Sequence, residues 1–443
     1  MKFSLSRHEH KPLQVNPIKH SQPMGATLAF LGVKDCMPLM HSAQGCASYT
    51  KVFFTRHFNE PIAINNTSVS DITAVLDGGD YSILMAIENI QNKEKNLKPS
   101  MIGLHTTGLT ETKGDDVRGV GTHIEIPYVF VNTPDYEGGM ESGWALTVTA
   151  MIEQLTEASS QIKSNKLVFL PHLSMQPIEV EKIKAFCEDF GFETYALPDL
   201  STSLDGYWEA GQGKLANGGI TVEQIKDLGT SSVVVSIGAS MKKAALALQK
   251  KNPAITHLHF DHLMGLGGCD NFVAELMKIR QQEPKPMIKR WRARLQDAML
   301  DSHFLIGSSH FVITGEPDML VGMCSLLQSV GGTVIAAVST TFSDVLHTIE
   351  AENVFVGDLE DARRFFPDAD MVISNFHAER ILHTIENTAL VIRGFPNYEE
   401  LGNQLKNDQL YEGSTYFLFE IANELRKVKH EHQNHSRGEW DNE

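Results

Sequence analysis

The 443-residue chain carries only five cysteines, Cys36, Cys46, Cys187, Cys269 and Cys324, and no two of them form a CxxC pair. An odd, scattered set excludes a disulfide framework. It also leaves the chain without the means to wrap a complete cluster in any obvious way, so a cysteine-ligated cluster would need a second chain. No apolar run approaches the roughly 18 residues of a membrane span; MIGLHTTGL and SSVVVSIGA are both far shorter. The N-terminal MKFSLSRHEHKPLQVNP lacks the apolar core of a secretory signal, so a cytoplasmic protein is expected. Positive charge is scarce: 38 Lys and Arg stand against 55 Asp and Glu, for a net charge of −17. That balance argues against nucleic acid and anionic membranes as partners. There is no GxGxxG behind an expected strand and no GxxxxGK[ST], which removes the dinucleotide and P-loop fingerprints.

What is present is an ordinary globular composition, 42% hydrophobic and 21% charged, with enough apolar residues for two or three domains at roughly 150 residues each. Short apolar runs alternate with helical stretches, the pattern of parallel α/β layers. Strands are expected at Met101–Leu104, Tyr128–Asn132, Lys166–Leu170, Ser231–Ile237, His310–Thr314, Thr333–Ala337, Asn353–Val356, Met371–Ser374 and Leu390–Ile392. The stretch FVITGEPDMLVGMCSLLQSVGGTVIAAVS reads as one complete βαβ unit with a Gly-Gly stop. The fold class is therefore α/β, with three Rossmann-like domains of mostly parallel sheet over 16–160, 161–299 and 300–426. RQQEPKPMIKRWRARLQ is a Pro-punctuated turn leading into a basic helix between the second and third. Residues 1–15 and 427–443 are polar, His-rich and without apolar periodicity, so disordered tails are expected there. His430, His432 and His435 belong to a solvated tail on this reading rather than to a metal site.

The most conspicuous short pattern is His257-Leu-His259-Phe-Asp261-His262, which fits the HxHxDH signature of metallo-β-lactamase-type zinc hydrolases. Imidazoles and a carboxylate would suit zinc and a metal-activated water. The context disagrees, because that motif belongs near the start of a β-rich layer, not past the midpoint of an alternating chain. A strand-and-turn segment with structural histidines is the expectation. Asp115-Asp116 after Gly114 could suggest acid–base work or magnesium, but capping at a helix entry explains the pair more simply. Cys187 and Cys324 lie in apolar helical runs and read as core; Cys36 reads as packing, and Cys269, after a glycine pair, could be exposed.

The stretch from Asn16 to Asp116 contains NPIKHSQPMGATLAFLGVKDCMPLMHSAQGCASYTKVFFTRHFNEP and KPSMIGLHTTGLTETKGDD. The HxxQGC turn, the RHFxEP segment and the TTxxxExxGDD loop fall in the order seen in β-type subunits of the nitrogenase component 1 family and their cofactor-assembly relatives, which this chain resembles. NTPDYEGGMESGW, ALPDLSTSLDGYW, RWRARLQDAMLDSHF and RGFPNYEELGNQLKNDQLYEG extend the resemblance from Asn16 to about Arg426. It implies a nitrogenase component 1-like fold. The catalytic β subunit gives three cysteines to the P-cluster. At the matching segments this chain has Ser21-Gln22-Pro23, Cys46 and Thr106-Thr107-Gly108. Two of the three thiolates are gone, and neither glycine nor a serine hydroxyl replaces soft sulfur on iron.

A single retained cysteine is what the NifN-type, cofactor-assembly branch implies. On that resemblance the chain pairs with a NifE-type subunit in an α2β2 heterotetramer, and Cys46 gives one ligand to an interface [4Fe–4S] cluster whose other three come from the partner. The complex would take an iron–sulfur precursor of the iron–molybdenum cofactor, made by NifB and held chiefly by the partner. It would complete that precursor with the nitrogenase iron protein and pass it to the apo catalytic component. This makes the chain a scaffold subunit, not an enzyme in its own right. Gly45 is expected to allow a tight turn and close approach of a bulky group, with His41, Ser42 and Gln44 around the thiol. Arg56 and His57 could face the cluster or the partner, or be satisfied core and interface residues. The alternative is a β-type subunit of a variant nitrogenase-like reductase, against which Ser21 and Gly108 count.

Overall fold

The alternation of apolar strands and helices forms three sheets, in each of which every strand pairing is parallel. The computed structural model describes residues 18–69, 79–92, 98–112, 117–120, 126–208, 215, 217–385 and 387–438. The expected tail 1–15 and the Asp115–Asp116 pair lie outside the described residues.

Helix α1, Gln22–Leu31, leads into β1, Cys36–His41, and then helix α2, Gln44–Phe58. β2, Asn65–Asn66, and β3, Met101–Thr106, follow; helix α3, Gly108–Glu111, leaves β3. β4, Tyr128–Val131, then precedes helix α4, Met140–Leu155. The sheet order is β2-β1-β3-β4, with Cys36 opposite Met101 and His41 opposite Thr106. Both central strands are buried along their whole length, as a parallel sheet covered on both faces demands. Helices α1 and α4 approach backbone to backbone. A Cβ at Gly25 would lie 2.0 Å from the Met140 carbonyl oxygen, and one at Gly143 2.0 Å from that of Gln22. Only glycine fits either position.

The second sheet comprises β5, Lys163–Leu170; β6, Glu193–Ala196; β7, Ser231–Ile237; and β8, Thr256–Phe260, in the order β6-β5-β7-β8. It belongs with the first to a compact unit of residues 20–260 and 401–406. The other unit takes in 261–400 and 407–443 with the first nineteen residues. It contains helix α5, Gly265–Arg280; helix α6, Pro286–Ile306; β9, His310–Gly315; helix α7, Pro317–Ser329; and β10, Thr333–Ser339. β11, Val354–Val356; β12, Met371–Ser374; β13, Ala389–Ile392; and helix α8, Leu410–Gly438, complete it. The sheet order is β11-β10-β9-β12-β13. Val312, Ala336, Val338, Phe355, Phe366 and Val372 share one of its cores.

β9, α7 and β10 are the expected βαβ unit, and Gly331, at φ +88°, makes the stop after α7 in a conformation that L side chains rarely adopt. Two expectations are corrected. Helix α6 runs unbroken across the expected boundary at 299/300, and the units change at Phe260/Asp261. Pro286 sits in its first turn, where proline starts a helix rather than separating domains. Helix α8 also continues to Gly438, into the expected tail. The segment from Glu424 to His435 has no glycine or proline and many Lys, Arg, Glu and His residues, which sustain a helix whatever their lack of apolar period. No helix among the described residues is long and apolar enough to cross a membrane.

Candidate functional site

In an open parallel sheet the ligand crevice lies beyond the carboxyl ends of the strands, and Cys46 and Gly108 both occur there. Cys46 is the third residue of α2, immediately after β1; Gly108 is the first residue of α3, immediately after β3. The two strand ends are tied together. The His41 carbonyl accepts from the Thr110 hydroxyl at 2.9 Å and the Thr107 hydroxyl at 3.2 Å. His41 Nδ1 lies 2.9 Å from the Thr67 hydroxyl, which also accepts from the Ser42 backbone N–H at 3.2 Å. His41, Ser42, Thr67, Thr107 and Thr110 are all buried. These polar groups fix the turn that presents Cys46.

The thiol itself is exposed. Its backbone N–H bonds to Ala43 O at 3.2 Å, and its carbonyl accepts from the Thr50 hydroxyl at 2.9 Å. Partial burial and then the charge of Asp135 push the thiol up from its ordinary range, against a lowering by the helix backbone. A free Cys46 therefore stays protonated at neutral pH, and a bound cation would be what drives off the proton. Gly45 departs from its expected role. It has ordinary helical conformation with no positive φ, so no tight turn depends on it. A Cβ there would meet nothing within 4 Å: its contribution is open space beside the thiol. On the same exposed face of α2, Tyr49 and Val52 are each 55% exposed.

Gly108 shows why a third thiolate has no place here. Its N–H donates to Asp135 Oδ1. A Cβ at this position would lie 2.0 Å from that oxygen and 3.0 Å from Tyr136 Cδ1. The carboxylate occupies the space that a cysteine side chain would need. Ser21 stands before α1 in extended conformation, with no side-chain cap to the helix, and the following Gln22 Nε2 donates to Ser142 at 2.9 Å. Asp135 was not legible as a site residue; NTPDYEGG carries it, but nothing local ties it to a glycine 27 positions earlier.

The remaining candidates are structural. Cys36, Cys187, Cys269 and Cys324 are buried, and burial pushes all four thiols up, that of Cys324 to about 12. Cys269 is thus not exposed. It falls with Phe272, Val273 and Leu276 on the inward face of α5, and its thiol lies 3.2 Å from Leu263 O. His257 and His259 are on β8, each 2.8 Å from the Ser236 hydroxyl, and His262 Nδ1 accepts from the Met264 N–H at 3.2 Å. The segment is the expected strand and turn. Among the described residues no group of three or more His, Cys, Asp or Glu side chains could hold a metal.

His57 is fully buried beside Phe58 while Arg56 is exposed. Burial lowers His57 to about 3, with a Gln176 hydrogen bond raising it and Lys406 lowering it. Burial likewise lowers His105, 2.9 Å from the Thr27 hydroxyl, to about 4, against a Gly103 carbonyl that raises it. Both are neutral when folded. An unfolded chain takes up these protons near pH 6.5, so their stabilisation is present above that pH and lost as pH falls towards 3 to 4. Each histidine costs about 1.4 kcal/mol per pH unit in that window, or ~3 kcal/mol for the pair at pH 5.5. Urea denaturation at pH 7.5 and 5.5 measures it; His105→Gln should remove about half of the difference, and equal stability at both pH values would refute the assignment.

A model of the family described as nitrogenase component 1 type oxidoreductase matches residues 21–426. The nitrogenase iron-molybdenum cofactor biosynthesis protein NifN of Rippkaea orientalis is 37% identical, covering 96% of each chain. NifN of Mesorhizobium japonicum is 35% identical over 95% of this chain and 92% of its own length, and that of Klebsiella pneumoniae 34% over 96% and 94%. Among solved structures, a chain of nitrogenase Cp1 at pH 6.5 superposes with a TM-score of 0.88 at 27% identity, covering 96% of both chains.

Proposed function

Because the chain belongs to the nitrogenase component 1 type oxidoreductase family, we propose that it is a subunit of a scaffold for iron–molybdenum cofactor biosynthesis, the process for which its relatives are named. It pairs with a NifE-type subunit in an α2β2 assembly and donates Cys46 as one thiolate of an interface [4Fe–4S] cluster, the partner giving three. The observation that carries the reading is one exposed thiol at the head of α2, beside open space, with no companion ligand in the positions of Ser21 and Gly108. A lone soft donor suits one corner of a cubane and cannot support half of a P-cluster. When bound, the cluster supplies an electron relay.

The chain's own residues do architectural work. The clamp of His41, Thr67, Thr107 and Thr110 fixes the turn on which the thiol rides. The α2 N-terminus, the positive end of the helix dipole, favours the thiolate once the proton has left. Tyr49, Val52 and, at 62% exposure, Tyr136 offer apolar surface to the partner and would keep water from the cluster. The precursor comes from NifB, matures with the nitrogenase iron protein and is held mainly by the partner, so this chain closes the cavity rather than performing a reaction.

Anaerobic co-purification with a NifE-type subunit tests this reading. The precursor-loaded complex, given molybdate, homocitrate and reduced iron protein, should activate apo-nitrogenase, and this chain alone should not. A complex that turns over nitrogenase substrates at catalytic rates and transfers no cofactor would instead establish the reductase alternative.

A further inference from the structure

Asp135 fills the place at the head of α3 where a third thiolate would stand, and brings a charge there instead. Its Oδ1 accepts the Gly108 N–H, and that oxygen lies 2.0 Å from where a Cβ on Gly108 would be. Gly108 leaves β3 and Cys46 follows β1, two strands paired side by side with His41 opposite Thr106. The His41 carbonyl ties the two loops together through Thr107 and Thr110. Carboxylate and thiol therefore share one crevice at the strand ends, and the charge of Asp135 is felt at the Cys46 thiol. The other oxygen, Oδ2, accepts no hydrogen bond and meets no cation among the described residues. Glu111, the acid that ends α3, is used differently. The Thr106 hydroxyl donates to its Oε1, and Asn132 Nδ2 donates to its Oε2 at 3.5 Å.

We propose that Asp135 sets the reduction potential of the cluster that Cys46 ligates, and holds it low. The inference rests on the cofactor reading above. One electron entering the cluster adds one negative charge, and no bond forms or breaks. A fixed carboxylate in the same crevice opposes that charge and so favours the oxidised form. Its hold on the Gly108 N–H acts in the same direction, because an N–H free to reach a cluster sulfur would stabilise the reduced form. At separations within a Debye length and an effective dielectric of about 20, a unit charge shifts such an equilibrium about tenfold. For a one-electron couple that is about 59 mV. A low potential suits a relay that must give its electron up rather than store it.

EPR-monitored redox titration of the anaerobically co-purified complex tests this, with dithionite as reductant and iron per heterodimer measured alongside. Asp135→Asn keeps the shape and the acceptor for Gly108. Iron and subunit assembly should match wild type while the midpoint rises by about 59 mV. Asp135→Glu keeps the charge, so its equilibrium should stay within about twofold of wild type, or about 18 mV. Glu137→Gln removes an exposed charge from the same loop without touching Gly108, and should shift the midpoint less than half as far. A cubane of wild-type potential in Asp135→Asn overturns the proposal and leaves Cys46 standing as a ligand. An equal rise in Glu137→Gln overturns it too, since net charge would then account for the shift. Loss of the cubane from an assembled Asp135→Asn complex also overturns it, because Asp135 would then hold the cluster rather than tune it. A wild-type complex without a cubane removes the cofactor reading itself, and this inference with it.

Discussion

Replacing Cys46 by alanine in the co-purified complex is expected to remove about four iron atoms per heterodimer and abolish the reduced-state EPR signal of a cubane, while the two subunits still assemble. The thiol is exposed, so its truncation leaves no cavity and costs the fold little, within about 0.5 kcal/mol. On the function proposed above, the effect falls on the fourth iron corner, which three thiolates of the partner would leave open. Cys46→Ser keeps a donor of similar size but replaces soft sulfur with oxygen, so partial iron and an altered signal are expected. Gly108→Cys is the informative control. Its side chain must displace Asp135 before it can reach the crevice, so it should lower stability without adding iron. Unchanged iron and signal in Cys46→Ala would make Cys46 an ordinary surface cysteine and end its role as a ligand.

The sequence and the structure agree best where apolar β-branched runs made strands self-evident. SSVVVSI, TVIAAVS and MVIS lie where expected. The strands that escaped, CMPLMH and ETYA, carry proline, histidine or charge, and become strands because a parallel neighbour fixes them. β1 holds Pro38 in its centre and is still paired along its length with β3. Context outweighs propensity there. At the candidate site, the candidate ligand could be picked out from the sequence and the groups that hold its turn could not. Cys46 stands out through its QGC setting and the loss of its two companions, but the Asp135 bond to Gly108 joins two loops that no local pattern connects. Cys269 differs: once α5 is framed from Gly265, its spacing to Phe272, Val273 and Leu276 assigns it to the core, whereas the glycine pair before it suggested a loop.

Arg393→Met is the substitution expected to damage stability most. Arg393 follows β13, and its side chain is only 7% exposed. Its Nε and Nη2 donate to Asp408 at 2.7 and 3.0 Å, Nη1 to the Ile392 carbonyl at 2.9 Å and to Glu420 at 3.2 Å, and Nη2 also reaches Glu420. The guanidinium lies 4.7 Å from the centre of the Phe417 ring. Burial works against the charge, but Asp408 and then Glu420 more than offset it, holding the guanidinium above its ordinary range. With a raised pKa on a cation, this stabilisation is complete at every pH below that of unfolded arginine, so no loss is expected across the neutral range. Methionine restores volume but leaves the Asp408 carboxylate, itself 9% exposed, without its cation. Removing one partner of a buried ion pair costs about 3–5 kcal/mol. Arg393→Met combined with Asp408→Asn and Glu420→Gln removes the stranded charges and should recover much of that loss, because the uncompensated carboxylates, rather than missing attraction, dominate it. Denaturant titration of the three proteins decides the matter. A loss below about 1 kcal/mol in the single variant would place the cluster among surface ion pairs, whose individual worth is of that order. An equal loss in single and triple variants would instead assign the stabilisation to packing of the guanidinium on Phe417.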